Sequence, residues 1–236
     1  MNGSHRITVI AGLLIAFSGC GGGSDQASKT ETANAAQPAA STASEAEWVV
    51  LSDNPDAWIM ANPGAWAFEN SSMSKDDGGG DIWTTERYGD FVLECDFKIN
   101  EGGNSGIFFR TDDVKDPVQT GIEIQVYNTP RQPEPVKNDC GAVYDLMAPS
   151  VYADKPAGEW NHIVLTCAGP NISVVLNGTT IVSDMNLDNW TEAGKNPDGT
   201  TNKFAKALKD FKREVHIGFQ EHGDPVWYRN VKIKKL

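Results

Sequence analysis

Between Phe91 and Ile99 the chain alternates without a break. Phe91, Leu93, Cys95, Phe97 and Ile99 are apolar, and Val92, Glu94, Asp96 and Lys98 fall between them. Successive side chains of a strand point to opposite faces, so this stretch dictates a half-buried strand of an antiparallel sheet. Glu101-Gly102-Gly103-Asn104 then turns the chain, and Ser105 to Thr111 returns as the next strand, with Arg110 facing opposite to Phe109. Gly121 to Tyr127 repeats the pattern. Ile122, Ile124 and Val126 share one face, while Glu123, Gln125 and Tyr127 share the other, which fits either a solvated surface or a binding face.

The rest of the chain is written in the same punctuation. Trp48 to Asn70 holds Trp58, Trp66 and Phe68 around Asn62-Pro63-Gly64 and reads as strand, turn, strand. Ser71 to Asp81 reads as a loop broken by Asp76-Asp77-Gly78-Gly79-Gly80, and Thr129 to Asn138 as a Pro-rich loop. Gly141 to Asp145 is expected to be a short strand closed by Met147-Ala148-Pro149. Trp160 to Cys167 and Ile172 to Leu176 read as a hairpin, and Asn177-Gly178 as the tight turn into Thr179 to Val182. One helix is expected over Lys203 to Lys212, where Phe204, Leu208 and Phe211 are spaced i, i+4 and i+7. About ten or more short strands with one small helix make an all-β jelly-roll sandwich. Trp66 and Trp160 are assigned to its core.

His216 to Leu236 gathers more polar chemistry than a sheet edge requires. Two apolar runs, His216–Phe219 and Val226–Ile233, flank Gln220-Glu221-His222-Gly223-Asp224-Pro225, so a hairpin is expected. Alternation then puts Gln220 and His222 on one face, and Trp227 with Arg229 on one face of the second run. The stretch reads as the lining of a site.

The beginning of the chain has a different character. Arg6 precedes an apolar run, Ile7 to Phe17, that is too short to span a bilayer as a mature helix. Phe17-Ser18-Gly19-Cys20 resembles a bacterial lipobox, which makes residues 1–19 a leader and Cys20 the lipidated first residue. Gly21 after Cys20 points to the outer membrane, facing periplasm or exterior. Residues 20–47 are small and polar and read as a disordered, lipid-anchored tether, leaving 48–236 as one folded domain. The alternative is an ordinary secretory signal. The whole chain carries a formal charge of −12, and without Arg6 it has 19 basic against 32 acidic residues, or −13. A surface so acidic argues against nucleic acid and is compatible with a neutral ligand such as a sugar. Cys95, Cys140 and Cys167 fit no zinc spacing; a disulfide would leave one thiol over, and Cys95 and Cys167 read as buried small hydrophobes.

Several stretches occur together, in order, across nearly all of Trp48–Leu236: Tyr88-Gly89-Asp90-Phe91, Asn104–Arg110 (NSGIFFR), Gly121–Gln125 (GIEIQ), Gly141–Tyr144 (GAVY), Ala148-Pro149, Lys155–Asn161 (KPAGEWN), Leu176-Asn177-Gly178 and His216–Leu236. In these the chain resembles the 3-keto-disaccharide hydrolase domain proteins, bacterial envelope proteins with a concanavalin- or laminarinase-like jelly roll, also described as 3-keto-glucoside lyases or hydratases. The resemblance implies a glycoside or oligosaccharide substrate whose sugar carries a ketone at C3. Such a carbonyl acidifies the C2 hydrogen, so a base can remove it, the enolate can expel the C1 substituent, and water can add afterwards.

That chemistry needs a base, an electrophile for the enolate oxygen and a group to stabilise the leaving oxygen. Glu123 and His222 are the candidates for base and acid, and Arg110 for the enolate charge. Gln125, Tyr144, Gln220 and Arg229 are candidates to bind sugar hydroxyls, with Trp227 to stack on a ring. A divalent metal held by Glu123 and His222 is the open cofactor alternative, although the sequence shows no compact ligand spacing. No cofactor-binding Gly-rich motif is present, so this chain is not expected to carry out the oxidation to the ketone itself. Two plainer readings stand beside these: an Arg110–Glu123 structural ion pair across adjacent strands, and a non-catalytic carbohydrate-binding module on the same fold.

Overall fold

A computed structural model describes residues 47–75 and 78–236, apart from the Asp184 side chain. The leader, Cys20 and the tether up to residue 46 lie outside the described residues, as do Asp76 and Asp77 of the Gly-rich breaker. Among the described residues thirteen strands follow in chain order. They are β1 (Val49–Val50), β2 (Trp58–Met60), β3 (Ala67–Glu69), β4 (Ser72–Lys75), β5 (Ile82–Thr84), β6 (Phe91–Ile99) and β7 (Asn104–Thr111). After the one-turn helix α1 (Pro117–Thr120) come β8 (Ile122–Tyr127), β9 (Asn161–Ala168), β10 (Asn171–Leu176), β11 (Thr179–Asn186), β12 (His216–Phe219) and β13 (Val226–Lys235).

Two antiparallel sheets face each other. The eight-stranded sheet runs β11-β10-β9-β6-β13-β4-β3, with β1 also on β13, and the five-stranded sheet runs β2-β5-β12-β7-β8. The alternation read in β6 is borne out: Phe91, Leu93, Cys95, Phe97 and Ile99 are buried in the core and their neighbours are half-buried. Ile107, Phe109, Ile122, Ile124 and Val126 close the core from the other sheet. The domain is therefore the all-β jelly-roll sandwich that the periodicities required, and its one short α-helix among the described residues is α1, not the expected Lys203–Lys212. Cys95, Cys140 and Cys167 are buried free thiols, all pushed above their ordinary range by burial.

Four local expectations fail for physical reasons. His216–Phe219 and Val226–Lys235 are not a hairpin, because β12 lies in the five-stranded sheet and β13 in the eight-stranded one. The segment between them crosses from sheet to sheet, tied by Glu221 N to Asp81 Oδ1 (2.8 Å) and by Asn104 N to Asp224 Oδ2 (3.0 Å). Phe219 and Tyr228 consequently stack face to face across the core, with ring centroids 4.0 Å apart. Lys203–Lys212 is not a helix; only Leu208–Asp210 forms a 3-10 turn, with Ala207 extended before it. Phe204 and Leu208 are buried all the same, and Phe204 packs edge-on against Phe211 at 5.5 Å. So short a window gains too little from helical hydrogen bonds to override that packing. Finally, Gly141–Asp145 is no full strand. It runs beside β8 through single bridges at Val143, while the supposed loop after Ser71 contains β4.

Candidate functional site

On the outer face of the five-stranded sheet lies a cleft of about 400 Å³, lined by Asn104, Val118, Glu123, Gln125, Tyr127, Asn138, Tyr144, Lys203, Gln220 and His222. Its floor follows from the alternation of β8. With Ile122, Ile124 and Val126 in the core, Glu123 and Gln125 must face outward, and both are nonetheless buried, 5% and 3% exposed. Two things cover them. The chain from Gly141 to Tyr144 is hydrogen-bonded along β8, Gly141 N to Gln125 O (2.8 Å) and Tyr144 N to Glu123 O (2.9 Å). Beneath, β7 offers Gly106, where a Cβ would come within 2.2 Å of Glu123 Oε1, so only glycine leaves room for that carboxylate.

Lys203 is brought in from far along the chain. Its backbone N donates to Asp145 Oδ2 (2.6 Å), and Asp145 itself adopts φ 65°. Buried Asn196 secures this corner: its Nδ2 donates to Asp145 O (3.0 Å), while its Oδ1 accepts from Trp190 Nε1 (2.8 Å) and Asn202 Nδ2 (3.0 Å). Lys203 Nζ then stands 3.9 Å from Glu123 Oε2 and 4.6 Å from the Tyr144 ring centre. Gln220 is fixed through its backbone, its N donating to Gly106 O (2.9 Å) and its O accepting from Ser105 Oγ (2.8 Å), which also bonds the Tyr228 hydroxyl (2.8 Å). The Gln220 Oε1 is buried without a partner among the described residues.

The electrostatics are unusual for a surface cleft. Burial pushes the Glu123 carboxyl up to about 7; Lys203 opposes that shift and the Asp81 carboxylate adds to it. Burial likewise lowers Lys203, against the pull of Glu123 and Asp145. Asp81 is raised by its own burial. A carboxyl that titrates near neutrality beside an ammonium group can exchange a proton in either direction.

Of the residues singled out in the sequence, Glu123, His222, Gln125, Tyr144 and Gln220 line this one cleft, His222 at its exposed edge. Arg110, Trp227 and Arg229 do not line it. Opposite Glu123 in the β7–β8 ladder stands Phe108, and Arg110 reaches Gly169 O (2.9 Å) and lies 3.6 Å from Asp90. The alternative reading, an Arg110–Glu123 ion pair, therefore does not hold, and Arg110 is not placed to meet an enolate in this cleft. The cause is a bulge: His216 faces Thr111 and Gly218 faces Phe108, so β7 carries one extra residue, and Arg110, at φ 56°, departs from the strand's alternation. Trp227 and Arg229 belong to β13 and sit on the other sheet. Lys203 and Asp81 were missed. Lys203 lay in an apparent helix and Asp81 in an apparent loop, and neither has a motif of its own. Among the described residues no group of three or more His, Cys, Asp or Glu side chains is placed to hold a metal; Glu123 and His222 share only the cleft.

A family model described as a 3-keto-alpha-glucoside-1,2-lyase-like domain matches residues 47–234. A Bacteroides thetaiotaomicron protein named 3-keto-disaccharide hydrolase is 27% identical over 216 residues, covering 77% of this chain and 71% of the relative. A crystal structure of a Parabacteroides distasonis protein, provisionally named a glycosyl hydrolase, superposes with a TM-score of 0.72 at 32% identity, covering 80% of this chain and all of that one. A Bacillus subtilis protein of unknown function with a galectin-like fold shares the fold at TM-score 0.53 and 16% identity, over 80% of this chain and 94% of its own.

Proposed function

This chain belongs to the 3-keto-alpha-glucoside-1,2-lyase-like domain family, and from that membership we propose that it is an enzyme cleaving glycosides whose sugar carries a ketone at C3. The observation that carries the reading is Glu123: a buried carboxyl titrating at about 7 and 3.9 Å from the Lys203 ammonium, in a cleft edged by amides. Glu123 as carboxylate takes the C2 proton. The electron pair moves into the C3 carbonyl, and the negative charge on that oxygen is met by Lys203, which takes the role expected of Arg110. Collapse of the enolate breaks the C1–O bond, and His222 gives its proton to the departing oxygen. Water then adds at C1 of the unsaturated sugar, returning a proton to His222, while Glu123 returns its proton to C2. The sum is hydrolysis; release before the second half leaves the elimination product. Gln125, Tyr144, Asn104 and Gln220 orient the ring, the unpartnered Gln220 Oε1 being an acceptor for a sugar hydroxyl.

The test is aglycone release from a 3-keto-glucoside and from its unoxidised parent, with and without a chelator. Release from the keto form alone, lost in Glu123→Gln and in His222→Ala while both variants stay folded, is the expected result. Turnover retained in both variants removes the assignment, and cleavage of neither substrate favours a binding module. Loss on chelation adds a divalent metal to the mechanism. We also propose that Cys20 carries the lipid anchor of an envelope protein; Cys20→Ala is expected to be released as soluble periplasmic protein, and its retention in membranes overturns the anchor.

A further inference from the structure

The other sheet has a concavity of its own. On the outer face of the eight-stranded sheet, a cleft of about 410 Å³ is bordered by Ser52, Ser71, Asp96, His162, Asn230 and Lys232, among others. Asp96 organises it. Its carboxylate shares a hydrogen bond with His162 Nδ1 (2.8 Å) and accepts from Arg229 Nε (3.0 Å) and Asn230 Nδ2 (2.9 Å). Neighbouring Glu94 is paired with Lys232 (2.9 Å). Glu94, Asp96 and Lys232 are thus compensated within the cleft, while Asp53 at its border has no ion-pair partner among the described residues, and an anionic ligand would have to break pairs already made.

Two features go beyond a solvated sheet face. Ser52 lines the cleft and is 1% exposed, yet its hydroxyl has no partner among the described residues. A buried unpaired hydroxyl is costly, and a ligand group reaching it would remove the cost. Asn230 sits at a bulge in β13 with φ 53°, where the register shifts between Arg229 and Lys232. Bulges re-aim side chains, and strain of this kind gathers at binding sites. Beside the cleft the Arg229 guanidinium lies 4.1 Å from the Trp160 ring centre, and Lys98 Nζ lies 4.3 Å from that of Trp227, giving a half-buried aromatic flank.

We propose that this cleft is a second, non-catalytic site that binds neutral carbohydrate, with Ser52 and Asn230 bonding sugar hydroxyls and the Trp160–Arg229 stack supporting a ring face. A mixture of hydroxyl, amide and largely paired charge recognises polyols rather than anions, and the volume suits a ligand of disaccharide size. The site is independent of the catalysis proposed above; it gives Arg229 and Trp227 a sugar-binding setting on the opposite face from the one expected.

The experiment is amide NMR titration of the full chain carrying Glu123→Gln with maltose, cellobiose and trehalose, none of which bears a C3 ketone. Saturable shifts are expected at Ser52, Asn230 and His162 for at least one sugar, with a dissociation constant of the order of 1 mM. Adding Ser52→Ala is expected to weaken that binding about tenfold without lowering thermal stability, because the hydroxyl it removes is unpaired. Shifts confined to Gln125 and Tyr144, no saturation with any of the three sugars, or Ser52→Ala binding unchanged each overturns the proposal. Inorganic phosphate, run in parallel, is expected to leave these residues unmoved; saturation by phosphate instead overturns the ligand class.

Discussion

The two outer faces of this sandwich hold clefts of nearly equal size, about 400 and 410 Å³, and each has a partly or wholly buried carboxylate, yet the two carboxylates are in opposite states. Asp96 suffers burial too, but hydrogen bonds from His162, Arg229 and Asn230 outweigh it and hold the group below its usual range. Glu123 is 5% exposed, has its ion-pair partner no closer than 3.9 Å, and is pushed up to about 7. The same residue chemistry serves two purposes. Full compensation fixes a charge in place, whereas incomplete compensation leaves a proton free to come and go.

If that contrast is correct, the largest effect belongs to Glu123→Gln, which should lower kcat/KM on a 3-keto-glucoside by roughly a thousandfold, within the range general acid–base groups supply. Next, Lys203→Met should cost about a hundredfold. Because Lys203 draws the Glu123 carboxyl down, its removal should also move the acid limb of the pH–rate profile upward from about 7, as the base form needs a higher pH. A limb that stays in place would mean that the ion pair does not tune the base. Asn196→Ala, which reaches the site through Asp145, Asn202 and the Lys203 backbone, should shift the same limb in the same direction but lower kcat only about tenfold.

Stability separates the faces most cleanly. The folded pKa of Glu123 exceeds its reference value of 4.5, so ionisation penalises the fold. The wild type should lose stability as pH rises from about 4.5 through about 7, and Glu123→Gln should be the more stable protein above pH 7, by roughly 3 kcal/mol. Asp96 has the opposite sign: its contribution is present above its reference value of 3.8 and disappears as pH falls through its depressed folded value. Asp96→Asn should therefore destabilise by about 1–3 kcal/mol at neutrality and by less in acid, a difference that urea melts at several pH values would measure.

How much of this could be read from residues alone depends on how local the cause was. The two-residue period of Phe91–Ile99 and Gly121–Tyr127 gave the strands, the sandwich and the common face of Glu123 and Gln125, because pleat alternation needs no tertiary information. A Gly-Pro turn such as Gln220–Pro225 looks the same whether the chain folds back within a sheet or crosses to another, so the hairpin was misread. Arg110 was misplaced by a bulge that alternation cannot reveal, and the bulge shows only against the register of β12. Lys203 was invisible for another reason: its position depends on Asn196 and Asp145, in irregular segments with no period to read.

The crossing before Val226 also bears on how the chain assembles. β13 lies inside the eight-stranded sheet, between β6 on one side and β4 and β1 on the other, although every one of those strands precedes it. Until β13 arrives, β6 and β4 have bare edges turned toward each other, and the stacked Phe219–Tyr228 pair cannot form. The strand that joins the two halves of the sheet thus follows every strand it pairs with, so the sheet cannot close until Val226–Lys235 is in place.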